Sequence, residues 1–121
     1  MKDAFDRLVS SLDYPMFIVT TSNGNDRAGC LVGFVTQASI DPPRLLVMLS
    51  KSNQTYRISL ASSTLAVHFL DTADHALAEL FGGETGDQID KFERCAWSPG
   101  PGGVPLLENV KGTVVGNVIA R

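Results

Sequence analysis

Ser50 to Arg57 (SKSNQTYR) brings hydroxyls, amides and two positive charges onto the end of an apolar run. Hydroxyl and ammonium groups that converge where backbone N–H groups open a helix can bind an anion, and a phosphate suits such a set. Ser52 is the expected cap of a helix running through Ile58 and Leu60. A Ser/Asn-rich junction with a lysine beside it is also what an ordinary solvated cap looks like. The run by itself leaves both readings open.

Other reactive residue types are sparse. Cys30 and Cys95 form neither a C-x-x-C pair nor part of a zinc quartet, and two reduced thiols are expected rather than a disulfide. His68, alone on a strand, reads as a structural imidazole, and His75 as an inert residue on the polar side of its helix. Lys91 reads as a solvated lysine, and Asp41 as the holder of a corner. Phe92 and Trp97 suit either the core or stacking on a planar ligand. No G-x-G-x-x-G or Walker sequence follows a strand and opens a helix.

The elements that must position Ser50 to Arg57 are readable around it. Ala28 to Ile40 and Leu45 to Leu49 are apolar runs joined by Asp41-Pro42-Pro43, an extended corner because proline lacks an amide donor and disfavours helix before it. The second run, short and continuously apolar, predicts a strand buried on both faces. Phe5, Leu8, Val9 and Leu12 make the stripe of an amphipathic helix capped by Asp3 and laid across a sheet. Met16 to Thr21 is a strand, and Ser22-Asn23-Gly24-Asn25 turns it into a hairpin with the strand from Ala28. Tyr56 to Ala61 is a short helix and Leu65 to Leu70 a strand. Thr72 caps a helix carrying Ala73, Leu77, Leu80 and Phe81 on its apolar face, ending at Gly82-Gly83. A glycine-rich loop then leads to a polar helix from Asp87 to Phe92. Ser98 to Pro105 is expected to be irregular, and Val110 to Ala120 closes the chain as a last strand.

The run Gly29 to Pro43 (GCLVGFVTQASIDPP), a buried strand and Ser-Lys-Ser-Asn-Gln-Thr together resemble the central motif of the flavin reductase-like family. Leu65 to Leu70, Leu77 to Phe81, Asp90-Lys91-Phe92, Trp97 and Gly103 to Leu107 fit the same family in order, so the resemblance covers Asp13 to Arg121. It implies a mainly β, α+β fold: an antiparallel FMN-binding split β-barrel with short flanking helices, one domain over residues 1–121. It implies an NAD(P)H-dependent oxidoreductase that binds FMN, with FAD as the alternative, takes a hydride from NADH or NADPH, and supplies a flavin-dependent monooxygenase. Leu31, Val32, Gly33, Phe34, Val35 and Thr36 match the strand lining the flavin ring. Ser50, Lys51, Ser52 and Thr55 match the phosphate segment, and Phe92 is a stacking candidate. Where many members carry a Thr and Ser-Ser-Phe, this chain has Leu31 and Gly33-Phe34-Val35, so backbone amides must replace hydroxyl contacts. The family's Gly-Asp-His segment and following strand have no counterpart here, and the domain is expected to lack the last strand or strands. The resemblance also implies a homodimer, with Leu45 to Leu49 and Val114 to Ile119 as contributors. Two rivals stay open: a non-catalytic flavin- or haem-binding protein of the same barrel, and a deazaflavin-dependent reductase.

Composition agrees with this scale and narrows the partners. With 121 residues, 44% hydrophobic, the chain suits one domain with a modest core. A formal charge of -3 and the lack of a Lys/Arg run make nucleic acid and anionic membranes poor partners. No apolar run approaches a membrane span and the N-terminus carries acids, so a cytoplasmic protein is expected.

Overall fold

The computed structural model describes residues 1–12, 15–83 and 89–121. In chain order its elements are α1 (Lys2–Ser10), β1 (Phe17–Ser22), β2 (Arg27–Val32), β3 (Val35–Ser39), β4 (Arg44–Val47), α2 (Gln54–Ser59), β5 (Thr64–Phe69), α3 (His75–Gly83), β6 (Trp97–Pro99), β7 (Pro105–Leu107) and β8 (Gly112–Asn117), with short 3-10 turns between. Asn23 reverses the chain after β1: its Oδ1 accepts from the amides of Asn25 and Asp26 at 3.0 and 2.7 Å. β1 and β2 therefore pair as the expected hairpin, Phe17 opposite Val32 and Ser22 opposite Arg27. β5 lies on the other side of β1 and β8 beyond it, giving an antiparallel sheet in the order β2-β1-β5-β8. β3 pairs with β4 and β6 with β7 in two separate antiparallel ribbons.

Period-two alternation along β1 divides the core. Phe17 and Val19 join Cys30, Val32 and Val67 on one face of the sheet, with Val35, Val47 and Leu49 packed on them. Ile18 joins Phe81, Phe92 and Leu107 on the other, under α3 and Trp97. Phe81, Phe92 and Trp97 form an edge-to-face series with centroids 5.5 and 5.7 Å apart, each pair adding about 0.5–1.5 kcal/mol beyond the area it buries. Thr20 and Thr21, fully buried, donate to the carbonyls of Pro105 and Thr64, which ties β1 to β7 and β5 through side chains.

Several expectations are corrected. Leu45 to Leu49 is not buried on both faces: the β3–β4 ribbon pairs only with itself among the described residues, so Val47 and Leu49 face the core while Leu46 and Met48 remain about half exposed. The run from Ala28 breaks at Gly33-Phe34 into β2 and β3, which belong to different sheets. α1 forms, but without a side-chain cap from Asp3, and Phe5, Leu8 and Leu12 stay exposed rather than covering the sheet. Asp71, not Thr72, caps the turn before α3, because its carboxylate accepts from Ala73 while Asp74 answers to the amide of Asp71. Ser98 to Pro105 is more regular than expected, contributing to β6 and β7 around a glycine turn in which Gly102 and Gly103 take φ of 67° and 80°. The helix expected over Asp87 to Phe92 is, within the described residues, a 3-10 turn at Lys91–Glu93, while Asp87 and the loop residues 84–86 lie outside them. Among the described residues no helix is long and apolar enough to cross a membrane.

Candidate functional site

The break between β2 and β3 creates a cleft. Met48 donates its amide to the carbonyl of Phe34 at 3.0 Å, which holds the end of β4 against the bend. A hollow of about 440 Å³ opens there, lined by Cys30, Leu31, Val32, Gly33, Phe34, Met48, Leu49, Ser50 and Asn53. This is within the roughly 300–1,000 Å³ typical of small-molecule sites. Its wall is mostly apolar, and Ser50 and Asn53 give it a polar end.

Five of the eleven residues named from sequence line this cleft: Leu31, Val32, Gly33, Phe34 and Ser50. Lys51 and Ser52 follow directly on its polar end; both are exposed, and the hydroxyls of Ser50 and Ser52 lie 2.9 Å apart. The Lys51 ammonium has no partner among the described residues. Val35 turns under β3 to pack on the core, and Thr36 faces solvent opposite Leu46, so neither lines the hollow. The cap of α2 is Asn53 rather than Ser52: its Oδ1 accepts from the amide of Thr55 at 2.8 Å. Asparagine caps as well as serine does, and the helix starts one residue later than the Ser52 reading requires.

Thr55 is 1% exposed, and its hydroxyl has no hydrogen bond of ordinary geometry among the described residues. It sits beside the Cys30 thiol. Burial pushes that thiol above its usual range, and the Thr55 hydroxyl and the Lys91 ammonium pull part of the shift back. Thr55 does not itself line the hollow; it backs Cys30, which does.

Phe92 is placed elsewhere. It is 6% exposed, built into the aromatic series under α3, and its ring does not reach the cleft. Lys91 is not solvated: it is 4% exposed, and its ammonium donates to the carbonyls of Phe81 at 2.9 Å and Gly29 at 3.3 Å. It thereby binds α3 to β2 one residue before the cleft begins. Cys30, Met48, Leu49 and Asn53 were missed as cleft residues. The signal for Asn53 was its cap propensity, whereas nothing local marks Met48, whose position depends on the pairing of β4 with the bend.

The model of the flavin reductase like domain matches residues 9–121. The FMN reductase (NADH) RutF of Stutzerimonas stutzeri is 36% identical over 107 residues, 88% of this chain and 59% of that protein. The protein of the same name from Pseudomonas syringae pv. syringae is 32% identical over 108 residues, 89% of this chain and 60% of its own. The chain thus spans about six-tenths of the length of these curated relatives. Among solved structures, a flavin reductase domain protein from Arthrobacter sp. FB24 superposes with a TM-score of 0.86 at 25% identity, covering 100% of this chain and 74% of that one. The NADH:FAD oxidoreductase SgcE6 of Streptomyces globisporus, solved with NAD and FAD fragments, gives 0.84 at 21% identity over 98% of this chain and 70% of its own, a likeness of fold. With the antiparallel sheet, the cleft at its bent strand and a match running from Val9 to Arg121, this chain belongs to the flavin reductase-like domain family.

Proposed function

We propose that the chain is an NAD(P)H-dependent flavin reductase that binds FMN in the cleft between the β2 bend and the end of β4. One observation carries the reading: folding brings Leu31 to Phe34 and Met48 to Ser50, distant in sequence, into a single hollow that ends at Ser50 and Asn53, with Lys51 and Ser52 next to Ser50 in the chain. An apolar wall suits a planar ring and the polar end suits a phosphate, so the residues present fit the cofactor. The two curated relatives described above are themselves named FMN reductase (NADH), which supports NADH as the reductant.

The bound flavin supplies the hydride-accepting chemistry. What this chain contributes is binding and orientation. Leu31, Val32 and Leu49 offer apolar surface, Phe34 and Met48 shield the mouth from water, and the amides of the Gly33 bend take the place of missing hydroxyls. Ser50, Lys51 and Ser52 would hold the phosphate, with Thr55 behind them. Delivery of reduced flavin to a monooxygenase fits the likeness in fold to nitrilotriacetate monooxygenase component B from Mycobacterium thermoresistibile.

We also infer a homodimer. β8 is an outer strand of the main sheet, with Val114 and Val115 45% and 38% exposed, and Leu46 and Met48 present a second apolar face on the β3–β4 ribbon. An uncovered edge and apolar faces of this kind are normally paired or covered. The two free thiols support the expected cytoplasmic setting.

An absorbance spectrum tests the function. Protein loaded with FMN should show flavin bands that bleach on adding NADH without air; bands that persist with both NADH and NADPH would refute the reductase reading.

A further inference from the structure

α2 bears on the polar end of the cleft, because its cap Asn53 lines the hollow. Yet no apolar side chain of α2 is fully buried: its buried residues are Thr55 and Ser59. The Thr55 hydroxyl makes no hydrogen bond of ordinary geometry among the described residues, and the Ser59 hydroxyl donates back within the helix to the carbonyl of Tyr56 at 2.6 Å. Neither ties α2 to the sheet. Short helices owe most of their stability to tertiary contacts, so a helix with so little apolar anchorage depends on its polar ties.

Two arginines supply them. At the start of the helix, Nη1 of Arg57 donates to the carbonyl of Ser52 at 3.1 Å, joining α2 to the segment before it. At the far end, Nη2 of Arg121 donates to the carbonyls of Ser59 at 2.8 Å and Ser62 at 2.7 Å. The Val118 amide donates to the Ser63 carbonyl at 2.8 Å, which brings the stretch after β8 alongside. The last carbonyls of a helix lack intrahelical partners, and a cation there satisfies them. A helix of six residues is about 9 Å long and moves as one piece. Released at Ser59 and Ser62, α2 can tilt, and Asn53 and the carbonyl of Ser52 that Arg57 grips move with it.

We infer that Arg121 is a positioning residue: it fixes the far end of α2 and thereby places Ser50, Lys51 and Ser52 for the cofactor phosphate. Arg121 itself does not line the cleft. Its effect is preorganisation, since groups already in place need no ordering when the phosphate arrives. This rests on the flavin reading above and adds to it a residue 59 positions or more from the carbonyls it holds.

Fluorescence titration of Arg121→Ala with FMN and with riboflavin tests the inference. FMN should bind about ten-fold more weakly. Riboflavin, which has no phosphate to place, should bind as it does to the wild type. Both Arg121 bonds come from one nitrogen, so the single ammonium of Arg121→Lys should recover most of the loss. FMN and riboflavin weakening together, as general destabilisation would make them, or neither changing, overturns it. If Arg121→Ala does not fold, Arg121→Gln, which keeps one donor, is measured in its place. Hydrogen exchange gives a second reading that needs no flavin: amides of residues 53–59 should exchange faster in the variant while those of β1 keep their protection. Unchanged rates in 53–59 overturn the latch. A wild type that binds neither flavin defeats the reductase reading alone, and the exchange rates still decide whether Arg121 holds α2.

Discussion

The backbone amide of Leu107 donates to Nε2 of His68 over 3.0 Å, at a position where the imidazole is fully buried. That bond makes Nε2 an acceptor, so Nδ1 carries the proton and donates to the carbonyl of Ile18 at 2.8 Å. Burial holds the His68 pKa below its ordinary value, and the Ile18 carbonyl offsets part of the shift. A neutral ring thus joins β5 to β1 and β7.

The sign of the pH dependence follows. With the folded pKa depressed, the unfolded chain binds the proton first as pH falls, so stability is full above about pH 6.5 and declines below it, towards the folded pKa. Urea unfolding from pH 8 to pH 5 should show this decline, and His68→Asn should be less stable throughout with a flatter profile. A wild-type curve no steeper than that of the variant would contradict the assignment.

Replacing Lys51 and Ser52 together with alanine should weaken FMN far more than riboflavin, since only FMN carries the phosphate. Each charge-assisted bond lost is worth roughly 1.5–3 kcal/mol. Fluorescence titration with both ligands measures the difference, and equal losses would move the phosphate elsewhere.

Gly29→Ala is expected to cost about 1–3 kcal/mol. A Cβ at Gly29 would sit 2.7 Å from Cε1 of Phe81 and 3.1 Å from Cγ2 of Thr20, both inside the packed core. The urea midpoint should fall with little change in slope. An unchanged midpoint would show that α3 can shift away from β2 at no cost.

Leu46→Glu combined with Val115→Glu should leave a folded monomer where the wild type sediments as a dimer at micromolar concentration. Both side chains are exposed in the single chain, so neither change disturbs its core. A stable pair should bury more than about 1,000 Å² in total. A wild type that sediments as a monomer would remove the basis for the dimer.

The main strands and the hairpin at Asn23 were legible in the sequence because they are set by local rules: turn residues, alternation and apolar runs. The segment Ser50 to Ser52 was legible as residue types, and the fold places Ser50 in the cleft wall with Lys51 and Ser52 exposed beside it. Tertiary structure decided the rest. Whether Leu45 to Leu49 is covered depends on which strands reach the β3–β4 ribbon, and no property of those five residues contains that information. Lys91 and Phe92 looked like a surface cation and a stacking ring; the carbonyls of Gly29 and Phe81 take the ammonium, and the aromatic series under α3 takes the ring. Those partners lie up to 62 residues away in the chain. Burial and hydrogen-bond satisfaction are sums over neighbours in space, whereas propensity is a property of neighbours in sequence.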